Sequence, residues 1–253
     1  AFKEMFNVVI QLGAILAVVV LYWSKLWPFH RKRIPQRSWF AQQSTNGFVG
    51  GLQRFGDRYC CMDKIVMWLK IAVSCLPAML IGLPLNDWLD KHFYNPTVVA
   101  LMLLLYGAGF LFVERYNRSR KPRVNSIAAL HWSDSLLIGV FQVLALIPGT
   151  SRSGATILGG ILIGTSREVA AEYTFFLAVP VMFGASLLKI VKFGAISGTE
   201  LGVLLVGMAV AFGVSILAIR FLMGYIRKHD FTAFGWYRIG LGLLVLLYFY
   251  VIR

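Results

Sequence analysis

The chain has few charged residues, and acidic residues are the scarcest of them. Only 14% of its 253 residues are charged, with 11 Asp and Glu against 25 Lys and Arg, while 58% are hydrophobic. An ordinary soluble domain has about a quarter of its residues charged. This deficit excludes a typical soluble domain and predicts an all-α, polytopic integral membrane helix bundle.

Cysteine and histidine are also sparse, which excludes several phosphatase chemistries. The three cysteines, at positions 60, 61 and 75, form neither a disulfide framework nor a paired zinc motif. None is followed by an arginine six positions later, as a cysteine-nucleophile loop requires. No histidine lies between His131 and His229, and neither a P-loop nor an HExxH pattern is present.

The basic residues that are present concentrate between the apolar segments and give a formal net charge of +14. Cytoplasmic loops of membrane proteins carry an excess of Lys and Arg. The loops at 24–64 and 114–123 are therefore expected on the cytoplasmic side. A charge of this kind favours a membrane surface or a phosphate-bearing lipid as partner, and nucleic acid is not expected.

Apolar segments long enough to cross a bilayer divide the chain into a single membrane domain, 1–253. About 17 to 25 apolar residues are needed for one crossing. The sequence predicts spans at 5–23, 65–85, 96–113, 173–191, 201–223 and 234–252, with a long basic loop at 24–64. This loop is interpreted either as a segment lying on the anionic inner leaflet or as an ordinary cytoplasmic loop.

A seventh apolar stretch, 135–163, is interrupted midway by "IPGTSRSGAT", residues 147–156. The loop charges place both of its ends on the same side of the membrane. Proline and glycine at 148 and 149 break a helix, and such backbone survives at membrane depth only where it lines protein or a watery cavity. The stretch is predicted to be a re-entrant helical hairpin whose second helix begins near Ser151.

Arg152 is the main functional candidate, because an arginine at membrane depth usually marks a ligand pathway. A helix N-terminus and a guanidinium together bind phosphate oxygens, and neighbouring hydroxyls add further donors. The hairpin tip is therefore predicted to bind a phosphate or diphosphate. The candidate residues are Gly149, Thr150, Ser151, Arg152, Ser153 and Thr156.

Simpler interpretations of the same residues stay open. Ser and Thr could merely cap the helix while Arg152 pairs with a carboxylate such as Glu172. Gln142 on the entering half-helix is either a substrate contact or an interhelical hydrogen-bond former. Glu172 is a weak candidate metal ligand and is otherwise a helix-start carboxylate favoured by the helix dipole.

Three segments carry a resemblance to a known family. "GVFQVLALIPGTSRSGATILGGILIG" (139–164) and "AAEYTFFLAVPVMFGA" (170–185) resemble a signature of the bacterial undecaprenyl-diphosphate phosphatases, the bacitracin-resistance membrane family. "FNVVIQLGAILAVVV" (6–20) resembles the first full span of that family. The similarity extends from near residue 2 to the end and is weak only in the basic loop.

The resemblance implies a multi-pass enzyme of the bacterial inner membrane that hydrolyses undecaprenyl diphosphate to undecaprenyl phosphate. This reaction recycles the lipid carrier for peptidoglycan synthesis and underlies bacitracin resistance. The family fold has inverted repeats, each with a re-entrant hairpin, and a divalent cation, Mg or Ca, takes part. Arg152 and Ser151 are then expected to be catalytic, with Gly149, Thr150, Ser153, Thr156 and Gln142 binding the substrate.

One departure from the family pattern affects the expected mechanism. The family's other signature, an ExxxE stretch followed by a Ser-Ser-Thr-Gly-His run, precedes the first full span, and this combination does not occur in residues 1–253. The carboxylates expected to hold the metal and the attacking group are thus missing from residues 1–253. We expect an upstream segment to supply them, and we expect residues 1–253 alone to be inactive.

A transporter or flippase for a lipid phosphate or another anion is the alternative function. Inverted repeats around a broken helix with an anion site also describe secondary transporters. The expected partners are the polyprenyl diphosphate lipid and the membrane, and association with a second copy of the chain stays open.

Overall fold

The computed structural model describes residues 2–29, 61–193 and 197–252. These residues fold as a helical bundle with no strand among them, in agreement with the all-α prediction. The helices are α1 (Phe2–Val9), α2 (Gln11–Leu21), α3 (Trp23–Leu26), α4 (Met62–Phe93), α5 (Pro96–Asn117), α6 (Trp132–Val143), α7 (Arg152–Leu162), α8 (Arg167–Phe193), α9 (Gly198–Ile226) and α10 (Thr232–Leu247).

Five helices are long and apolar enough to cross a membrane in the part of the chain that the structure describes. They cover Met62–Gly82, Pro96–Asn117, Arg167–Phe193, Gly198–Ile226 and Thr232–Val251. The segment Met5–Leu21 is apolar but shorter, and α1 and α2 meet within it at Ile10. The prediction of a polytopic membrane helix bundle is confirmed.

Several helices extend beyond the spans predicted from hydropathy. The predicted span 65–85 belongs to α4, which continues to Phe93, and the predicted span 173–191 belongs to α8, which begins at Arg167. Hydropathy marks only the part of a helix that matches the hydrocarbon core, whereas helical hydrogen bonding continues into the interfacial region. The connections are therefore shorter than the predicted loops.

The stretch 135–163 folds back on itself as two half-helices, α6 and α7. A Cβ added to Gly159 on α7 would lie 2.4 Å from the Phe141 ring on α6, so the two half-helices touch. At the open end, Arg123 Nη2 donates to Asp134 Oδ1 at 2.6 Å and to the Ile163 carbonyl at 3.3 Å. One guanidinium thus joins the start and the end of the hairpin.

Small residues allow the membrane helices to pack closely. α5 packs along α10, α2 along α9, and α4 along α6. At the α5–α10 crossing, a Cβ on Gly107 would lie 2.9 Å from the Gly235 carbonyl oxygen, and one on Gly139 would lie 2.4 Å from that of Ser74 on α4. Close backbone approach of this kind is typical of helix pairs in membranes.

The connections that follow α5, α7 and α9 meet at one end of the bundle and are joined there by ion pairs. Arg167 at the start of α8 binds Glu114 near the end of α5, and Arg227 after α9 binds Glu168. The Glu114 carboxylate also accepts the Phe231 backbone N–H at 3.0 Å. Most of the predicted basic loop 24–64 lies outside the described residues.

Candidate functional site

The hairpin tip is a turn that ordinary backbone conformations cannot make. Gly149 has φ +89°, and a Cβ there would lie 2.6 Å from the carbonyl oxygen of Val99 on α5. Ser151 has φ 63°, the only positive φ of a non-glycine residue in the described part of the chain. Strained backbone of this kind is held by its surroundings and clusters at functional sites.

Ser151 starts α7 by capping it. Its Oγ accepts the Gly154 N–H at 3.3 Å, and its carbonyl accepts the Ala155 N–H at 3.0 Å. The backbone N–H groups of Arg152 and Ser153 find no acceptor within residues 2–29, 61–193 and 197–252. Because Ser151 and Ser153 are both exposed, the first turn of α7 presents free donors to whatever occupies the tip.

The Arg152 guanidinium lies inside the bundle and has no carboxylate partner among the described residues. Nη2 lies 3.5 Å from the Met182 sulfur on α8, and the buried Nη1 has no hydrogen-bond partner there. A buried charge without a partner is costly. The guanidinium therefore has free donors that could bind an anionic ligand.

Glu172 is not the partner of Arg152. Its Oε1 accepts from Lys25 Nζ at 2.5 Å, and the Glu172 side chain is 7% exposed. Lys25 follows α2, so this ion pair joins the first span to α8. The alternative in which Glu172 neutralises the tip arginine is therefore wrong.

Thr156 is turned inward. Its hydroxyl donates to the Arg152 and Ser153 carbonyls, at 3.0 and 3.2 Å, and lies 2.9 Å from the Thr174 hydroxyl on α8. The residue is 1% exposed. This geometry holds the first turn of α7 against α8 and favours a positioning role for Thr156 over direct contact with a substrate.

Gln142 and Thr150 are buried near the tip with polar atoms unused. They are 3% and 0% exposed. Neither Gln142 Oε1 nor the Thr150 hydroxyl has a hydrogen-bond partner within the described ranges. Buried polar side chains are normally satisfied, so such atoms mark a place where water or a ligand completes the network.

Arg238 is a further intramembrane arginine, besides Arg152 and the exposed Arg220, and the sequence patterns did not single it out. It lies within the apolar helix α10, and its Nη1 donates to the Thr150 carbonyl at 3.1 Å. A Cβ on Gly154 would lie 3.3 Å from the same Nη1. The rule that singled out Arg152, a cation inside a predicted span, applies equally to Arg238 and could have identified it.

The tip therefore concentrates positive charge that no described carboxylate neutralises. Arg152 is the first residue of α7, Arg238 Nη1 lies 3.3 Å from a Cβ placed on Gly154 in the same turn, and the N-terminus of α7 adds about half an elementary charge. Neither arginine forms an ion pair among the described residues. A ligand that carries at least two negative charges would balance this field.

The described residues do not form a site that fits a divalent cation. They contain no group of three or more His, Cys, Asp or Glu side chains placed to hold a metal ion. Glu172, the weak candidate from the sequence, is already bonded to Lys25. Hard cations such as Mg and Ca need several oxygen ligands, and the side chains in the described ranges do not supply such a set.

Comparison of the sequence with known proteins places the chain in a family. The family model "Bacitracin resistance protein BacA" matches residues 1–244. An undecaprenyl-diphosphatase of Acetivibrio thermocellus is 55% identical over 254 residues, which cover 100% of this chain and 85% of the relative. Relatives with the same name from Desulfitobacterium hafniense and Enterococcus faecalis are 54% and 51% identical and cover 98% of this chain and 82% of each relative. The chain belongs to the bacitracin resistance protein BacA family.

Proposed function

We propose that this protein is a membrane phosphatase that hydrolyses undecaprenyl diphosphate to undecaprenyl phosphate and inorganic phosphate. Relatives that are 51 to 55% identical over nearly the whole chain are named undecaprenyl-diphosphatase. The observation that carries the proposal is the charge at the hairpin tip. Two guanidiniums and a helix N-terminus meet there without a described carboxylate, which suits a diphosphate better than a neutral headgroup.

The tip residues divide into contacts and supports in this proposal. Arg152 and the free N–H groups of Arg152 and Ser153 bind the terminal phosphate, and Ser151 and Ser153 add exposed hydroxyls. Arg238 donates to the tip backbone and has further N–H groups available for the second phosphate. Gly149 and Thr156 hold the shape of the turn.

Two buried groups complete the proposed pocket. Gln142 and Thr150 have unused polar atoms, and both can hydrogen-bond to phosphate oxygens or to the water beside them. The lipid tail lies along the apolar faces of the bundle in a bacterial cytoplasmic membrane. The divalent cation, Mg or Ca, remains a prediction from the family resemblance.

The reaction is a phosphoryl transfer to water. A new P–O bond forms between the water oxygen and the terminal phosphorus, the bond to the bridging oxygen breaks and its electron pair leaves with undecaprenyl phosphate, and the protons of the water leave with inorganic phosphate. Negative charge grows on the bridging and terminal oxygens as this happens. Arg152 and the α7 N–H groups are pre-oriented toward that charge and lower the barrier without reorganising.

Phosphate release by the full-length protein in detergent tests the proposal. Arg152→Ala is expected to lower kcat/KM for undecaprenyl diphosphate by about 10² to 10³, the usual effect of losing one pre-oriented donor. Arg220→Ala is the matched control, since Arg220 is exposed on α9. The proposal fails if Arg152→Ala keeps its rate within about twofold, or if the control loses as much.

A transporter of lipid phosphates is the competing function, since broken helices with anion sites also occur in carriers. A detergent solution has no compartments, so phosphate release there is hydrolysis. Sealed vesicles that move labelled lipid across the bilayer, with no phosphate released by the same preparation in detergent, would establish the transporter and overturn the phosphatase.

A further inference from the structure

A basic cavity opens at the end of the bundle away from the hairpin tip. Its volume is about 620 Å³. It is bounded by the connection that follows α5, the end of α7, the start of α8 and the end of α9. α7 begins at the tip with Arg152 and ends at the cavity with Leu162, so its 11 residues separate the two by about 16 Å.

The cavity wall carries far more positive than negative charge. Its cationic lining residues are Arg118, Arg120, Lys121, Arg123, Arg167 and Arg227, and Glu168 is its single acidic residue. Three of these arginines are neutralised by ion pairs with Asp134, Glu114 and Glu168. Arg118, Arg120 and Lys121 have no acidic partner in the described ranges and leave about three positive charges unbalanced.

Helix-end effects account for only part of this charge. Arg118 follows the C-terminus of α5, where a cation is favoured by the helix dipole, and Arg120 stacks on the Tyr116 ring at 4.0 Å. The same cavity, however, also contains the N-terminus of α8, where added cations are unfavourable. An anion between these groups would relieve the repulsion.

An unpaired hydroxyl lies behind the wall of the cavity. Thr165 lines the wall and is 3% exposed. Its hydroxyl Oγ1 has no hydrogen-bond partner in the described part of the chain. A Cβ added to Gly160 on α7 would lie 3.1 Å from this oxygen, so the hydroxyl is buried against α7 and the basic side chains, not Thr165, are the ligand contacts of the cavity.

The rest of the wall indicates which kind of anion fits. Ile161, Leu162, Ile163 and Ile226 supply an apolar side beside the basic one. The loops around the cavity are those whose basic residues predict the cytoplasmic membrane surface. Basic pockets between membrane helices on that side accept anionic lipid headgroups. A free anion would use the basic side only.

We propose that this basic cavity is a binding site for the phosphate headgroup of an anionic phospholipid of the cytoplasmic leaflet, separate from the diphosphate site at the hairpin tip. The headgroup phosphate lies among Arg118, Arg120 and Lys121, and the glycerol and first acyl carbons contact the isoleucine side. A tightly held lipid at this corner links α5, α7, α8 and α9.

Native mass spectrometry of the delipidated protein, titrated with phosphatidylglycerol, tests this assignment. A triple variant that combines Arg118→Gln, Arg120→Gln and Lys121→Gln should bind phosphatidylglycerol at least about tenfold more weakly, since each basic residue near an anionic lipid surface contributes to the binding free energy. The control removes the same charge at the opposite end by Lys91→Gln, Lys189→Gln and Lys192→Gln. It should bind phosphatidylglycerol as tightly as the unaltered protein.

The remaining outcomes separate the sources of the phosphate. Phosphatidylcholine should bind at least tenfold more weakly, and millimolar inorganic phosphate should not displace phosphatidylglycerol. Displacement by inorganic phosphate alone would reassign the cavity to a free anion and overturn the lipid proposal. If the two triple variants weakened phosphatidylglycerol binding equally, the lipid proposal would also be overturned. It would likewise be overturned if the single charge reversal Lys121→Glu left phosphatidylglycerol binding unchanged.

Discussion

The arginines at the two ends of α7 have opposite electrostatic surroundings. At the loop end, Arg123 and Arg167 are each matched by a buried carboxylate, of Asp134 and of Glu114. At the tip, Arg152 and Arg238 have no acidic partner among the described residues, although both lie within the apolar bundle. Arginine side chains thus hold the fold together at the loop end, whereas at the tip their donors stay free for a ligand.

This contrast indicates where stability has been given up for function. A buried ion pair is costly to break because it leaves one charge unpaired, while an unpaired buried charge is already a cost in the folded state. Sites that await a ligand commonly carry such a cost. Removing a charge should therefore have opposite effects on stability at the two ends.

The largest effect is expected for Glu114→Gln. This change leaves Arg167 without its carboxylate and weakens the acceptor of the Phe231 N–H. We expect a loss of about 2 kcal/mol in the free energy of unfolding, less than for a fully buried pair because the Arg167 side chain is 38% exposed. Thermal unfolding in detergent measures it, and phosphate release per folded molecule should stay unchanged.

Arg152→Met is the matched change at the tip and sharpens the comparison. It removes an unpaired cation and keeps an apolar chain of similar length, so Tm should stay the same or rise while activity is lost. A fall in Tm as large as that of Glu114→Gln would mean that Arg152 holds the fold in the same way as the paired arginines. The two ends would then not differ.

A smaller effect is expected for Arg238→Gln, because Arg152 remains in place. Loss of its charge beside the Thr150 carbonyl should lower kcat/KM for undecaprenyl diphosphate about tenfold, or about 1.4 kcal/mol. Arg238→Lys should recover part of this loss, because it restores the charge without the planar fork.

The kinetic constants show whether Arg238 meets the substrate. If it binds the second phosphate, inhibition by a soluble diphosphate should weaken with Arg238→Gln, whereas inhibition by inorganic phosphate should change little. If both change equally, Arg238 only supports the turn. Unchanged kinetics for all Arg238 variants would remove it from the site.

The helical hairpin could be predicted from the sequence because its causes are local. A Pro-Gly break at 148–149 interrupts an apolar run, and the loop charges place both ends of that run on one side. The structure adds the capping by Ser151 and the close contact of Phe141 with Gly159, as expected for such a turn. Arg152 was found by the same local reasoning.

Other parts of the site depend on packing between distant segments, which one sequence does not show. The carboxylate of Glu114 binds Arg167, 53 positions away, and Arg238 reaches Thr150, 88 positions away. The inward position of Thr156 depends on Thr174 of α8. Hydropathy and motif spacing do not determine such contacts, although the intramembrane position of Arg238 was itself a detectable signal.

The smallest effect is expected for the most exposed ion pair, between Arg227 and Glu168. The two side chains are 65% and 45% exposed, and their closest atoms are 2.9 Å apart. Exposed pairs contribute about 0 to 1 kcal/mol and are screened by salt. Glu168→Gln should therefore change the free energy of unfolding by no more than about 0.5 kcal/mol. If thermal unfolding showed that Glu168→Gln lowers the free energy of unfolding as much as Glu114→Gln does, burial of the carboxylate would not decide which ion pairs stabilise this end.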